Sequence, residues 1–269
     1  MRWRDRAPAW SLLALMLAAG GCAKFTFIEK GAERRDYTRV APVYEVSDGP
    51  RKASSANAAT LVIQAANRYR AGDLAQAGEL ARQALRADKG SADAHNVLAL
   101  VADARGDART AGQHYQAAAT AAPQAGVHLG NYGAWLCGND RVAESLPWFE
   151  RALADPADPN RADTLANAGR CGLRAGQPQQ AEIRLRSALQ LAPEHPVGLA
   201  TMAELAYGAG RDMEARAFSE RRLAAAPPDR DALQLAARIE ERLGDAAAAA
   251  RYRAALTRLP SDPSARPSP

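Results

Sequence analysis

The chain has 269 residues, 47% hydrophobic and 24% charged, with 35 basic against 30 acidic side chains and a net charge of +5. That charge is too weak and too dispersed for a nucleic-acid footprint, since no helix face carries a run of Lys or Arg. Length by itself allows one large or two ordinary domains.

At the N-terminus a basic start, Met1 to Arg6, precedes an apolar run from Ala7 to Ala19. The run is too short to span a bilayer as a helix of ~20 residues and reads as a targeting segment. It ends in Ala19-Gly20-Gly21-Cys22, and small residues before a cysteine at this distance resemble the lipobox of bacterial lipoproteins. The alternative is a chance Cys closing an ordinary signal peptide. The resemblance implies that residues 1–21 are a lipoprotein signal peptide and that Cys22 is acylated, becomes the new N-terminus and holds the chain to a membrane. Ala23, where an aspartate would retain some lipoproteins at the inner membrane, is compatible with the cell outer membrane, on its periplasmic face.

Residues 22–57 show neither a helical period nor a convincing strand and read as a lipidated tether. A flexible chain of this length reaches roughly 30 Å, from ~5 Å times the square root of its residue number. Its Phe25, Phe27, Ile28, Val40, Val43, Tyr44 and Val46 exceed what a spacer needs, and docking on the following domain is favoured over a separate partner.

From residue 58 a period takes over. A small residue recurs as Ala65, Ala99, Gly133, Gly169, Ala203 and Ala237, at intervals of 34, 34, 36, 34 and 34. A second small position gives Ala77, Ala111, Ser145, Ala181, Ala215 and Ala249. Between the two lies Gly72, Gly106, Gly176, Gly210 or Gly244, replaced only in the third unit, by Asp140. This is the tetratricopeptide pattern, with small residues where paired helices cross and larger ones between. The predicted fold is all-α, a solenoid of six helix-turn-helix repeats over residues 58–263, with 264–269 as a disordered tail.

Individual repeats carry local signals. Asn131 to Leu153 reads as two amphipathic helices around the Gly138-Asn139-Asp140-Arg141 turn, whose Gly and Asn tolerate the left-handed conformation that ends a helix. Pro147, one turn into the second of these helices, predicts a late start near Ser145 or a kink. Pro178 falls where proline suits the first turn of a helix. The charged Arg238, Glu240, Glu241 and Arg242 give the sixth repeat the look of a solubilising cap.

Cys137 and Cys171 stand near the ends of first helices in adjacent repeats, where stacking brings them side by side. Outside the cytoplasm such a pair favours a structural disulfide over buried free thiols. A metal pair or redox centre fits poorly, because no further ligand lies at short spacing and there is no CxxC.

Catalytic patterns are lacking: the four histidines are scattered, with no HExxH, GxSxG, Walker loop or GxGxxG. Asp155, Asp158 and Asp163, interrupted by Pro156 and Pro159, read as a solvated connection. The sequence therefore points to no enzyme, no cofactor, no metal and no small-molecule substrate.

What a solenoid offers is its concave face. Taking the recurrent small residue of each first helix as position 8, that face is built from positions 2, 5, 9, 12 and 13. The candidate protein-binding residues are Val62, Tyr69, Asn96, Leu100, Asn131, Ala134, Asn167, Arg170, Leu173 and Tyr207, with Cys137, Ala166, Glu204, Gln234 and Arg238 beside them. The first and middle repeats are the more apolar, which suits an apolar or amphipathic segment of another protein. Asn131 and Asn167, both at position 6, could hold peptide backbone, although bonding across the helix pair is favoured for them. Trp135 and Trp148 are assigned to the core.

The lipobox Cys22, a tether, six tandem repeats and a third repeat reading NYGAWLCGNDRVAESLPWFERALADP together resemble the type IV pilus biogenesis lipoproteins of the PilF/PilW family, the outer-membrane pilotins. Membership implies a non-enzymatic role: binding the secretin subunit and promoting its outer-membrane localisation and multimerisation. The alternative is a periplasmic repeat scaffold for another envelope assembly, such as cytochrome c maturation or control of peptidoglycan synthesis.

Overall fold

The computed structural model describes residues 53–259, with side chains described from Asn57 onward. The signal peptide, Cys22, most of the tether and the tail lie outside the described residues. Within them are twelve helices: α1 (Ala53–Arg70), α2 (Leu74–Ala87), α3 (Ala92–Ala104), α4 (Ala108–Ala121), α5 (Gly126–Gly138), α6 (Val142–Leu153), α7 (Arg161–Arg174), α8 (Pro178–Leu191), α9 (Pro196–Gly208), α10 (Asp212–Ala225), α11 (Arg230–Arg242) and α12 (Ala246–Leu256). They pair in sequence into the six predicted hairpins.

The turn inside every hairpin has one construction. Its positive-φ residue is Gly72, Gly106, Asp140, Gly176, Gly210 or Gly244, with φ between 60° and 80°. The next amide donates five residues back, as from Asp73 to the Arg68 carbonyl at 2.9 Å and from Arg141 to the Leu136 carbonyl at 2.9 Å, which closes the helix as a Schellman turn. In the third repeat the left-handed residue is Asp140, while Gly138 and Asn139 precede it. An Asp there costs about 1–2 kcal/mol relative to glycine, and Asp140 instead receives an ion pair from Arg174 at 2.7 Å.

The twelve small positions are all buried. Two of them are glycine where a large side chain lies against the helix, tightly at Gly133 and too close for a Cβ without a shift at Gly169. A Cβ built on Gly133 would come within 3.3 Å of the Phe149 ring, and one on Gly169 within 2.6 Å of Leu185. Ser145, the polar exception, is fully buried and donates its hydroxyl to the Val142 carbonyl at 2.7 Å.

First helices pack against first helices of the next repeat, α1 on α3 through α9 on α11, whereas the backbones of second helices stay apart and meet only through side chains, as Arg184 of α8 does with Glu150 of α6 and Arg186 of α8 with Glu214 of α10. An array tied along one side and splayed along the other must curve, with α1, α3, α5, α7, α9 and α11 on the inner face. Cys137 of α5 and Cys171 of α7 are joined by a disulfide on that tied side, with Cα atoms 6.0 Å apart.

Three local expectations differ from the structure. First, α1 begins at Ala53, inside the segment read as tether; residues 53–57 carry no apolar stripe, so periodicity gives no sign of them. Second, α6 starts at Val142 and runs through Pro147 without the predicted late start. An exposed proline five residues beyond the first helical position forfeits one backbone bond, and the N-terminus is held by Glu144, paired bidentately with Arg141 at 2.8 and 2.6 Å. Third, the aspartates after α6 do not form a merely solvated connection. Asp155 accepts from the Gly126 amide at 2.8 Å, and the buried Asp158 accepts from the Thr164 hydroxyl at 2.8 Å. These bonds fasten α6, α7 and the start of α5 together.

Candidate functional site

The inner face of the later repeats is a trough in two connected halves. One half is lined by Val127, Gly130, Asn131, Ala134 and Trp135 of α5, by Asp163, Asn167 and Arg170 of α7, and by His195 and Val197. The other is lined by Arg170 again, then by Val197, Ala200 and Glu204 of α9, and by Asp231, Ala232 and Leu235 of α11. Arg170 and Val197 belong to both, so the floor is continuous from α5 to α11.

Of the residues predicted to line a groove, Asn131, Ala134, Asn167, Arg170 and Glu204 do so. Val62, Asn96 and Leu100 do not: they are 2%, 0% and 3% exposed, because in the first two repeats these positions pack against the neighbouring first helix. Tyr69 is half-buried between the cores of those two repeats. Leu173 packs against the cluster that holds Leu185 and Met202. Tyr207 is covered by Arg242, whose guanidinium lies 3.6 Å from the ring centroid, with Arg238 at 5.6 Å. The accessible trough therefore belongs to repeats three to six: the middle repeats take part as expected, and the first does not.

Position 2 supplies what the candidate residues omitted. Val127, Asp163, Val197 and Asp231 all stand at it and all line the trough. Trp135, assigned to the core, is only half-buried; it stacks on Tyr132 at 6.0 Å and lies over Gly112 of α4, where any Cβ would sit 2.3 Å from its ring. Trp148 meets the same Tyr132 edge-on at 4.8 Å and packs, half-buried, against the same core cluster.

Polar groups in the trough are partly used. Asn131 Nδ2 donates to Asn96 Oδ1 at 2.8 Å, a bond between neighbouring first helices and not across its own helix pair. Asn167 Oδ1 accepts from Arg170 at 3.3 Å, the single hydrogen bond of that guanidinium among the described residues. Burial and the nearby Arg174 lower the Arg170 pKa, while Glu204 partly offsets them. Glu204 itself is pushed up by burial, with Arg170 opposing.

The histidines are engaged in packing. His195 Nδ1 accepts from the Gly198 amide at 3.1 Å and caps α9, leaving Nε2 to donate to Asp163 at 2.9 Å. His128 approaches Asp93 at 3.3 Å, and Asp140 is committed to Arg174. His95 and His114 face each other with Nδ1 atoms 3.0 Å apart, one donating and the other accepting. Burial lowers both pKa values, and for His114 the neighbouring His95 adds to it. The neutral pair is thus the native form: its contribution is complete above the ordinary value of 6.5 and is lost as pH falls below it. Urea midpoints measured from pH 8 down to pH 5 are expected to fall below about 6.5, with a shallower fall in His114→Gln.

Paired helices at this period, closed by identical turns and stacked through their first helices, define a tetratricopeptide-repeat protein. Residues 172–239 match a tetratricopeptide-repeat family model. The chain is similar to the type IV pilus assembly protein PilF of Pseudomonas aeruginosa, 29% identical over 188 residues that cover 70% of this chain and 75% of that protein. The solved structure of P. aeruginosa PilF superposes with a TM-score of 0.68 at 26% identity, covering 77% of this chain and 93% of that one. PilW, described as a widely conserved type IV pilus biogenesis factor, superposes with a TM-score of 0.67 at 29% identity, covering 74% of this chain and 92% of that one.

Proposed function

We propose that this chain is a non-enzymatic outer-membrane lipoprotein of type IV pilus biogenesis that binds the secretin subunit and promotes its localisation and multimerisation. The observation that carries the reading is the likeness to PilF and PilW, which extends over the repeat array in both sequence and structure. The open trough supports it by offering polypeptide a continuous surface. Attachment is assigned to Cys22 on its lipobox-like setting, Ala19-Gly20-Gly21-Cys22. Two acyl chains and an amide-linked third anchor stably, each buried methylene contributing about 0.8 kcal/mol.

Deleting the gene and restoring it as wild type or Cys22→Ala tests both halves of this function. The deletion is expected to abolish SDS-resistant secretin multimers and twitching motility, and Cys22→Ala to leave secretin out of the outer-membrane fraction. Normal multimers in the deletion strain would refute the assignment.

A further inference from the structure

Arg170 stands out among the trough's charged groups. A guanidinium has five N–H donors, and this one uses a single N–H, on Asn167, with no carboxylate in ion-pair range among the described residues. The other charges around it are better provided for. Arg222 is paired with Asp229 at 2.5 Å, Arg174 with Asp140 at 2.7 Å and Asp163 with His195 at 2.9 Å. Glu204 acts on Arg170 through its charge, with no ion pair between the two among the described residues, and Arg170 is half-buried. Covering the trough would strip the last water from a cation that no carboxylate contacts among the described residues, and a bound anion relieves that cost.

The surroundings define what carries the anion. Among the described residues the Asn131 Oδ1 on α5 and the Asn167 Nδ2 on α7 have no hydrogen-bond partner. Neighbouring helices lie about 8–10 Å apart, the span of roughly three residues of extended chain. A chain crossing the first helices would thus find one side-chain amide for its backbone on each. Apolar lining continues to both sides of Arg170, with Val127, Ala134 and Trp135 on one and Val197, Ala200 and Ala232 on the other.

We propose that the trough takes an extended partner segment with an internal Asp or Glu between apolar residues, the carboxylate meeting Arg170 and the backbone meeting Asn131 and Asn167. The acidic residue is internal, not C-terminal, because the trough runs on past Arg170 in both directions. This rests on the trough being the partner-binding surface of the function proposed above.

The test uses the full chain in detergent and three labelled nonapeptides. One is blocked at both ends, with a central glutamate flanked by valines and leucines; the second replaces that glutamate with glutamine; the third moves the only carboxylate to a free C-terminus. Fluorescence anisotropy at low salt is expected to show the internal-glutamate peptide binding about tenfold or more tighter than the glutamine one. Arg170→Gln should erase that ratio, and an unchanged helical circular dichroism and urea midpoint would report that the variant's trough is intact. Arg170→Lys should keep part of the ratio. Equal affinities for the glutamate and glutamine peptides, a preference for the C-terminal carboxylate, or no binding at all would overturn the proposal. Secretin capture from solubilised outer membranes separates it from the function itself. Capture undiminished by Arg170→Gln defeats the acidic-segment proposal alone, and capture by neither protein defeats the secretin assignment while the peptide ratio still decides the trough's chemistry.

Discussion

Replacing Cys137 and Cys171 together with alanine is expected to lower the stability of the repeat array by about 3–4 kcal/mol. The bond closes a loop across a sequence separation of 34. Most of its effect in the chain-entropy description is to deny the unfolded chain the freedom to separate α5 from α7. The native junction has a second fastening, because Arg174 donates to the Cys137 carbonyl and pairs with Asp140. The variant should therefore keep its helical circular dichroism at rest and differ only in how easily it unfolds. Repeat arrays unfold through nearest-neighbour couplings, so cutting the link between repeats three and four should also broaden the urea transition. Reductant should bring the wild type down to the variant and leave the variant unmoved. A wild-type transition indifferent to reductant would show that the bond contributes nothing.

How much of this was legible before the structure depends on how local each cause is. The hairpin period could be read because its requirements are stereochemical and recur. A left-handed residue must end each first helix, so Gly72, Gly106, Gly176, Gly210 and Gly244 announce themselves, and Asp140 is visible as the substitute in the same register. The small residues at the crossings follow from the same logic, since α5 and α6 approach until Phe149 touches Gly133.

The trough was less legible, for a physical reason. Position along a first helix tells which way a side chain points, but the neighbouring repeat decides whether it is covered. Leu100 and Arg170 share position 9. The leucine is absorbed into a core with Tyr115 and Tyr132, whereas the arginine stays at the surface. Position 2 was a usable signal, because its residues sit at the start of the helix, where the next repeat has not yet closed over them. The long-range bonds of Asp155 and Asp158 could not have been read from their own neighbourhood. Gly126, whose amide Asp155 accepts, is 29 residues away.

Phe149→Ala is expected to be the most damaging single substitution, costing about 3–5 kcal/mol. Phe149 is fully buried and fills the space among Cys137, Ala168 and Cys171, with its ring flat against Gly133. Truncation removes the transfer free energy of the ring and leaves a cavity whose cost depends on how far its walls can close. Here two of the walls are the disulfide-linked helices α5 and α7, held at a Cα separation of 6.0 Å, so collapse is restricted while the bond is intact. The two losses should accordingly be non-additive. Phe149→Ala should cost less in the Cys137→Ala/Cys171→Ala background, by a coupling of roughly 0.5–3 kcal/mol, as expected for groups in direct contact. Urea titrations of the wild type, the phenylalanine variant, the cysteine pair and the triple variant close the cycle. Strict additivity would mean that the walls relax freely despite the bond, and that Phe149 and the disulfide support the third repeat independently.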